Sequence, residues 1–107
     1  GENIADLGGL TVAYDALQKA LADAGKSPDE KIDGYTENQR FFINWATVWR
    51  RNFNPEELKV RLNTDPHSPD SFRAIGAPSN MPAFATAFQC KPGVPMVRAD
   101  DKRVVIW

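Results

Sequence analysis

One cysteine and one histidine are all that this 107-residue chain carries of two residue types that most often anchor metals and covalent chemistry. With Cys90 alone there is no internal disulfide, and with His67 alone there is no pair of imidazoles to bind a metal. Long apolar runs are missing too. None approaches the roughly 20 residues that cross a bilayer, and no charged segment followed by an apolar core marks a signal peptide. Charge of one sign is equally scarce: 13 basic against 14 acidic residues leave a net charge of −1 with no block of like charge. That balance excludes the basic footprint of a nucleic-acid binder and the basic patch of a membrane-surface protein. Alternating strand patterns are absent before Arg103-Val104-Val105-Ile106-Trp107, a run that reads as a short strand or an extended tail. No internal repeat or low-complexity segment is found. The length allows one core and therefore one domain at most.

What is present reads as helix. Ile4, Leu7, Leu10, Tyr14, Leu17 and Leu21 recur in steps of three and four, which predicts an amphipathic helix over residues 2–24, with Gly25 as its stop. Residues 26–35 read as a polar connecting loop. Thr36-Glu37-Asn38-Gln39 has the capping-box pattern, and Phe41, Phe42, Trp45, Val48 and Trp49 follow at helical spacing. Asn54-Pro55-Glu56-Glu57 starts a further short helix running to about Leu62. Beyond it prolines dominate, only Pro28 preceding Pro55, so this irregular second half reads as short helical turns joined by fixed, extended pieces. Ser68-Pro69-Asp70 begins one such turn and Asn80-Met81-Pro82 another. The fold class expected is all-α.

Three places suggest chemistry. Glu2 and Asp6 lie one turn apart on one face of the first helix, which is ordinary first-turn acid placement and also the spacing for two carboxylates serving one site. Gly8-Gly9 then costs on the order of 1 kcal/mol per glycine inside a helix, which predicts that another backbone or helix approaches this turn closely. His67 is held between prolines in Asp65-Pro66-His67-Ser68-Pro69, where Asp65 can orient its ring. Arg73, six residues on, joins it as a donor for negative charge developing on a carbonyl. Val48-Trp49, at the end of the aromatic stripe, reads as core or as the wall of a pocket.

Glu2-Asn3-Ile4-Ala5-Asp6-Leu7-Gly8-Gly9 resembles the E-N-x-A-D-x-G-G segment of the neprilysin family (M13) of zinc metallopeptidases, which includes endothelin-converting enzyme and bacterial oligopeptidases. The similarity continues through Gln39-Arg40-Phe41-Phe42, Val48-Trp49, Asp65-Pro66-His67-Ser68-Pro69, Phe72-Arg73, Gly76, Asn80, Phe84, Phe88-Gln89-Cys90 and Trp107. It implies that residues 1–107 are the C-terminal portion of a zincin-type catalytic domain. It also implies roles. Glu2 corresponds to the third protein ligand of a catalytic Zn2+, and Asp6 to the acid that orients a zinc-bound histidine. His67 corresponds to the stabiliser of the oxyanion, with Asp65 its orienting acid. Arg73 is implied to bind the substrate carbonyl beyond the scissile bond, and Val48 and Trp49 to line the pocket beside it. The resemblance implies oligopeptide substrates, an extracytoplasmic location, and a partner in the remainder of the parent domain.

The H-E-x-x-H helix that supplies the family's other two zinc ligands and its general base is not in these 107 residues. Arg50 and Val104 stand where vertebrate members have cysteines, and Ala83 replaces a common glutamate, which is the pattern of a bacterial-type member with fewer disulfides. The competing class is a non-catalytic helical interaction domain, which has no need to keep Glu2, Asp6, His67 and Arg73 in register. The isolated chain is expected neither to hydrolyse peptides nor to hold zinc tightly, because a catalytic zinc takes three protein ligands. Chelator-sensitive cleavage of a quenched peptide by the purified chain would contradict this.

Overall fold

The computed structural model describes residues 1–106, so the expectation for Trp107 lies outside the described residues. Among the described residues the regular structure is helical apart from one small hairpin. Helix α1 spans Glu2–Asp23, α2 Glu37–Val48, α3 Pro55–Thr64, α4 Asp70–Ser79 and α5 Pro82–Ala87, with a single 3₁₀ turn at Asp100–Lys102. The first helix ends where glycine was expected to end it, Gly25 adopting φ 64°.

Residues 26–35 are not a plain loop. Lys31–Ile32 (β1) pairs antiparallel with Tyr35–Thr36 (β2) around Asp33-Gly34, whose φ angles of 53° and 84° suit a tight two-residue hairpin turn. Thr36 therefore closes the hairpin and opens α2. Its hydroxyl accepts from the Gln39 backbone N–H at 3.1 Å, and the Gln39 side chain accepts from the Thr36 N–H at 3.1 Å. The Gln39 amide also donates to the Ala87 carbonyl at 2.9 Å, so one side chain caps α2 and fastens it to the end of α5.

Two expectations for the second half are corrected in length. Helix α3 runs to Thr64, past Leu62, and Asp70 opens a ten-residue helix in place of a single turn. Residues 103–106 form no strand among the described residues. Instead the Val104 N–H donates to the Asn80 side chain at 2.9 Å and Ile106 packs on the core.

The core is small. It gathers Leu7 and Leu10 of α1, Phe42 of α2, Ala77 of α4 and Met81, with Phe42 at its centre and only 2% exposed. Phe42 meets the rings of Tyr14, Phe41 and Phe84 at centroid distances of 5.7, 5.2 and 5.3 Å, two of them edge-on, the arrangement the ring quadrupoles favour. Helix α4 is the hub, packing against α1, α2 and α5.

Much apolar surface stays outside this core. Ile4, Val12, Val48 and Phe72 are all more than half exposed, whereas Trp45 and Trp49 are half-buried. Gly9 faces open space, with nothing within 4 Å of where a Cβ would stand, so no helix among the described residues closes on it. The radius of gyration is 15.5 Å, against about 13 Å for a compact domain of this length.

Two outcomes follow from a small core beside a large bare surface. Phe42→Ala should cost about 3–5 kcal/mol, comparable to the whole stability of a small domain, and abolish a cooperative melt followed by circular dichroism. The isolated chain should bind hydrophobic dye and self-associate through the Ile4 and Phe72 surface. A monodisperse, dye-silent monomer at high micromolar concentration would count against that.

Candidate active site

The start of α1, the end of α2, the Asp65–Pro69 loop and the second turn of α4 meet at one edge of the molecule. What joins them is Arg73. Its Nε donates to Asp6 Oδ2 and its Nη2 to Asp6 Oδ1, both at 2.7 Å, a two-pronged pair whose side chains are only 13% and 11% exposed. The guanidinium carbon lies 4.0 Å from the centre of the Trp49 ring, and the Trp45 indole N–H donates to the Arg73 carbonyl at 3.2 Å. The Asp6 hydrogen bond pushes the Arg73 pKa up from an already high value. The consequence is geometric: a charge always present is held in one orientation, with the donors not used by Asp6 left for a ligand.

His67 is oriented from its other side. Asp65 Oδ1 accepts from the His67 backbone N–H at 2.9 Å and pairs with the ring Nδ1 at 2.6 Å, while Asp65 Oδ2 accepts from Arg61 Nη2 at 2.8 Å. Arg61, with the two His67 groups, holds the Asp65 carboxyl well below the usual carboxylate range. Nε2 is thereby turned toward Glu2, whose Oε2 lies 3.8 Å away. The Asn3 amide donates to the Ser68 hydroxyl at 3.0 Å and ties the first turn of α1 to the same loop.

A cavity of about 130 Å³ opens between these groups, lined by Trp49, His67 and Arg73 together with Phe53, Leu58, Leu62, Arg51, Arg61 and Asp70. Glu2, Asp6, Asp65, His67, Arg73 and Trp49 are thus brought together. Val48 is not: it is exposed and does not line this cavity. Local spacing gave no reason for Glu2 and His67, 65 positions apart, to converge, which only the resemblance implied, and the structure sets them side by side. The sequence also left out Arg51, Phe53, Arg61 and Asp70. Only Arg61 had a signal, its i,i+4 spacing to Asp65, reinforced by its place 4.9 Å above the Phe53 ring. Among the described residues no three His, Cys, Asp or Glu side chains converge as a metal set.

The model of peptidase family M13 matches residues 1–104 of the chain. Membrane metallo-endopeptidase-like 1 of Mus musculus is 45% identical over 109 aligned residues, covering 100% of this chain and 14% of the relative. Endothelin-converting enzyme 1 of Cavia porcellus is 48% identical over 96, covering 90% of this chain and 13% of the relative. The zinc metalloprotease ZMP1 of Mycobacterium tuberculosis, in complex with inhibitor, superposes with a TM-score of 0.90 at 42% identity, covering 100% of this chain and 16% of that one. The chain spans about a seventh of the length of the curated relatives it matches.

Because the Asp65 pKa is lowered in the folded state, its contribution to stability is complete above the unfolded carboxylate value of about 3.9 and fades as pH falls below it. Asp65→Asn should therefore lower stability by a constant amount between pH 5 and 8, with the difference shrinking below about pH 4. Urea unfolding of both proteins across that range checks it, and a difference that grows on acidification would contradict it.

Proposed function

Since the chain belongs to peptidase family M13, we propose that it is the C-terminal portion of a zinc endopeptidase catalytic domain and forms one wall of the site that cleaves oligopeptides. The observation that carries the proposal is the convergence of four separate segments: Glu2 lies beside His67, and His67, Arg73 and Trp49 line one cavity.

Glu2 fits the part of a metal ligand. Half of its side chain is exposed, and among the described residues its one ion-pair contact is the loose one to His67, so an oxygen donor is free beside the His67 ring. One carboxylate does not make a zinc site, and the other ligands belong to the remainder of the parent domain. When bound, zinc supplies a Lewis acid and an activated water. Asp6 has both oxygens on Arg73 and a lone pair of each to spare, so it holds the arginine and can accept from a histidine outside this chain.

His67 stabilises the oxyanion. With Nδ1–H given to Asp65, Nε2 is the ring nitrogen turned outward, and in the doubly protonated ring it also donates. Arg73, fixed by Asp6 and Trp49, donates to the carbonyl beyond the scissile bond. Val48, on the exposed rim, contributes to the substrate pocket only together with surface outside this chain. The relatives whose names describe a membrane metallo-endopeptidase support an extracytoplasmic location. No helix among the described residues is long and apolar enough to cross a membrane.

In the intact parent, His67→Ala should lower kcat by about 10²–10³ with little change in KM, because its bond strengthens as charge develops. Arg73→Ala should raise KM, since it holds the ground state as well, and Glu2→Ala should release the metal. Steady-state kinetics with metal analysis test all three. Equal effects of the His67 and Arg73 substitutions, confined to KM, would refute the division of roles.

A further inference from the structure

The carboxylate that orients His67 is itself held by a third residue. Asp65 Oδ1 pairs with both the His67 backbone N–H, at 2.9 Å, and the ring Nδ1, at 2.6 Å, while Oδ2 accepts from Arg61 Nη2 at 2.8 Å. Arg61 meets Asp65 a second time where α3 ends, its carbonyl accepting the Asp65 N–H at 2.8 Å. Its guanidinium carbon lies 4.9 Å from the centre of the Phe53 ring, which directly precedes the Asn54 cap at the other end of the same helix. Arg61 is thus held between an aromatic face and the acid.

Helix α3 carries no buried residue, so it does not serve the core. What it presents is Arg61, on the wall of the cavity that His67 and Arg73 also line. As a source of stability, an ion pair one helical turn apart, with side chains 37% and 22% exposed, is worth little. As a constraint on direction it is worth more. A carboxylate turns about its Cβ–Cγ bond, and Oδ1 meets the His67 N–H and the ring together only over a narrow part of that turn. The bond from Arg61 to Oδ2 keeps it there. The His67 side chain is 43% exposed, so packing alone does not fix the ring.

Resting on the oxyanion role proposed above for His67, we infer that Arg61 is a positioning residue of the peptidase site: by fixing the Asp65 carboxylate it aims the His67 ring, and its effect on the reaction passes through His67 alone. Without the guanidinium donors the carboxylate is free to turn, and the ring samples directions in which Nε2 misses the oxyanion. The bond that suffers is the one that strengthens as charge develops, so the loss falls on kcat. This separates the two arginines of the cavity. Arg73 holds the substrate itself and acts on KM, whereas Arg61 leaves substrate binding untouched.

The test uses steady-state kinetics of the intact, zinc-loaded parent on a quenched peptide. Arg61→Met keeps an apolar stem beside Phe53 and removes the donors; it should lower kcat about tenfold with KM unchanged, a smaller loss than His67→Ala causes. Arg61→Lys, which keeps a charged donor without the planar fork, should recover part of that loss. The deciding comparison adds Arg61→Met to His67→Ala, where it should cost nothing further. A merely structural role would slow the enzyme by the same factor with or without His67. If Arg61→Met does not fold, Arg61→Ala takes its place in both backgrounds. An unchanged kcat, a loss confined to KM, or the same loss in the His67→Ala background would overturn this inference alone. No effect of His67→Ala on kcat would overturn the oxyanion role and this inference with it.

Discussion

The pair between Asp6 and Arg73 sets the geometry of everything around it. It joins residues 67 positions apart, near the starts of α1 and α4, and it is the main polar link between these two helices. Two parallel hydrogen bonds fix rotation as well as distance, which a single point-charge contact does not. With α1 held in that register, Glu2 arrives next to His67 and Asn3 reaches Ser68. With α4 held, the guanidinium rests on Trp49 and the Arg73 carbonyl meets Trp45, so α2 is drawn into the same site. A pair this well covered pays desolvation on both charges and is a poor source of net stability. Its value is specificity of arrangement.

That role matches a fold with little core to rely on. Four buried hydrophobic side chains cluster around Phe42, and large apolar residues such as Ile4 and Phe72 face outward near the site. The same edge of the molecule that carries the exposed apolar side chains carries the half-exposed carboxylate of Glu2 and the open backbone at Gly9. Surface of that character is ordinarily covered by another protein segment. The proposed place of the chain, as one wall of a larger catalytic domain, would account for the small core and the bare face together.

Most of the helices were legible in the sequence because their signals are local. The Thr36–Gln39 capping box, the Asn54-Pro55 start and the Gly25 stop each act within a few residues, and each is found as read. The ten-residue length of α4 was not legible, since Pro78 near its end and the surrounding prolines suggested interruption where packing against three other helices sustains the helix. The hairpin at Lys31–Thr36 was missed because two-residue strands are too short for alternation to register, although Asp33-Gly34 carried the turn signal. In the site, Glu2, Asp6, His67 and Arg73 stood out through motif resemblance. Asp70 and Arg51 did not, because a helix-start acid and a loop arginine look ordinary until burial shows that one of them keeps an oxygen unbonded.

The central claim is that one ion pair, by fixing α1 against α4, assembles the site. A double-mutant cycle on the stability of the chain, with Asp6→Ala, Arg73→Ala and the double substitution, measures it most directly by denaturant unfolding. The account predicts strong coupling: each single change leaves a covered charge without its partner, and the double change costs less than the sum of the two by about 1 kcal/mol or more. Additive effects, with coupling near zero, would show that α1 and α4 find their register without the pair.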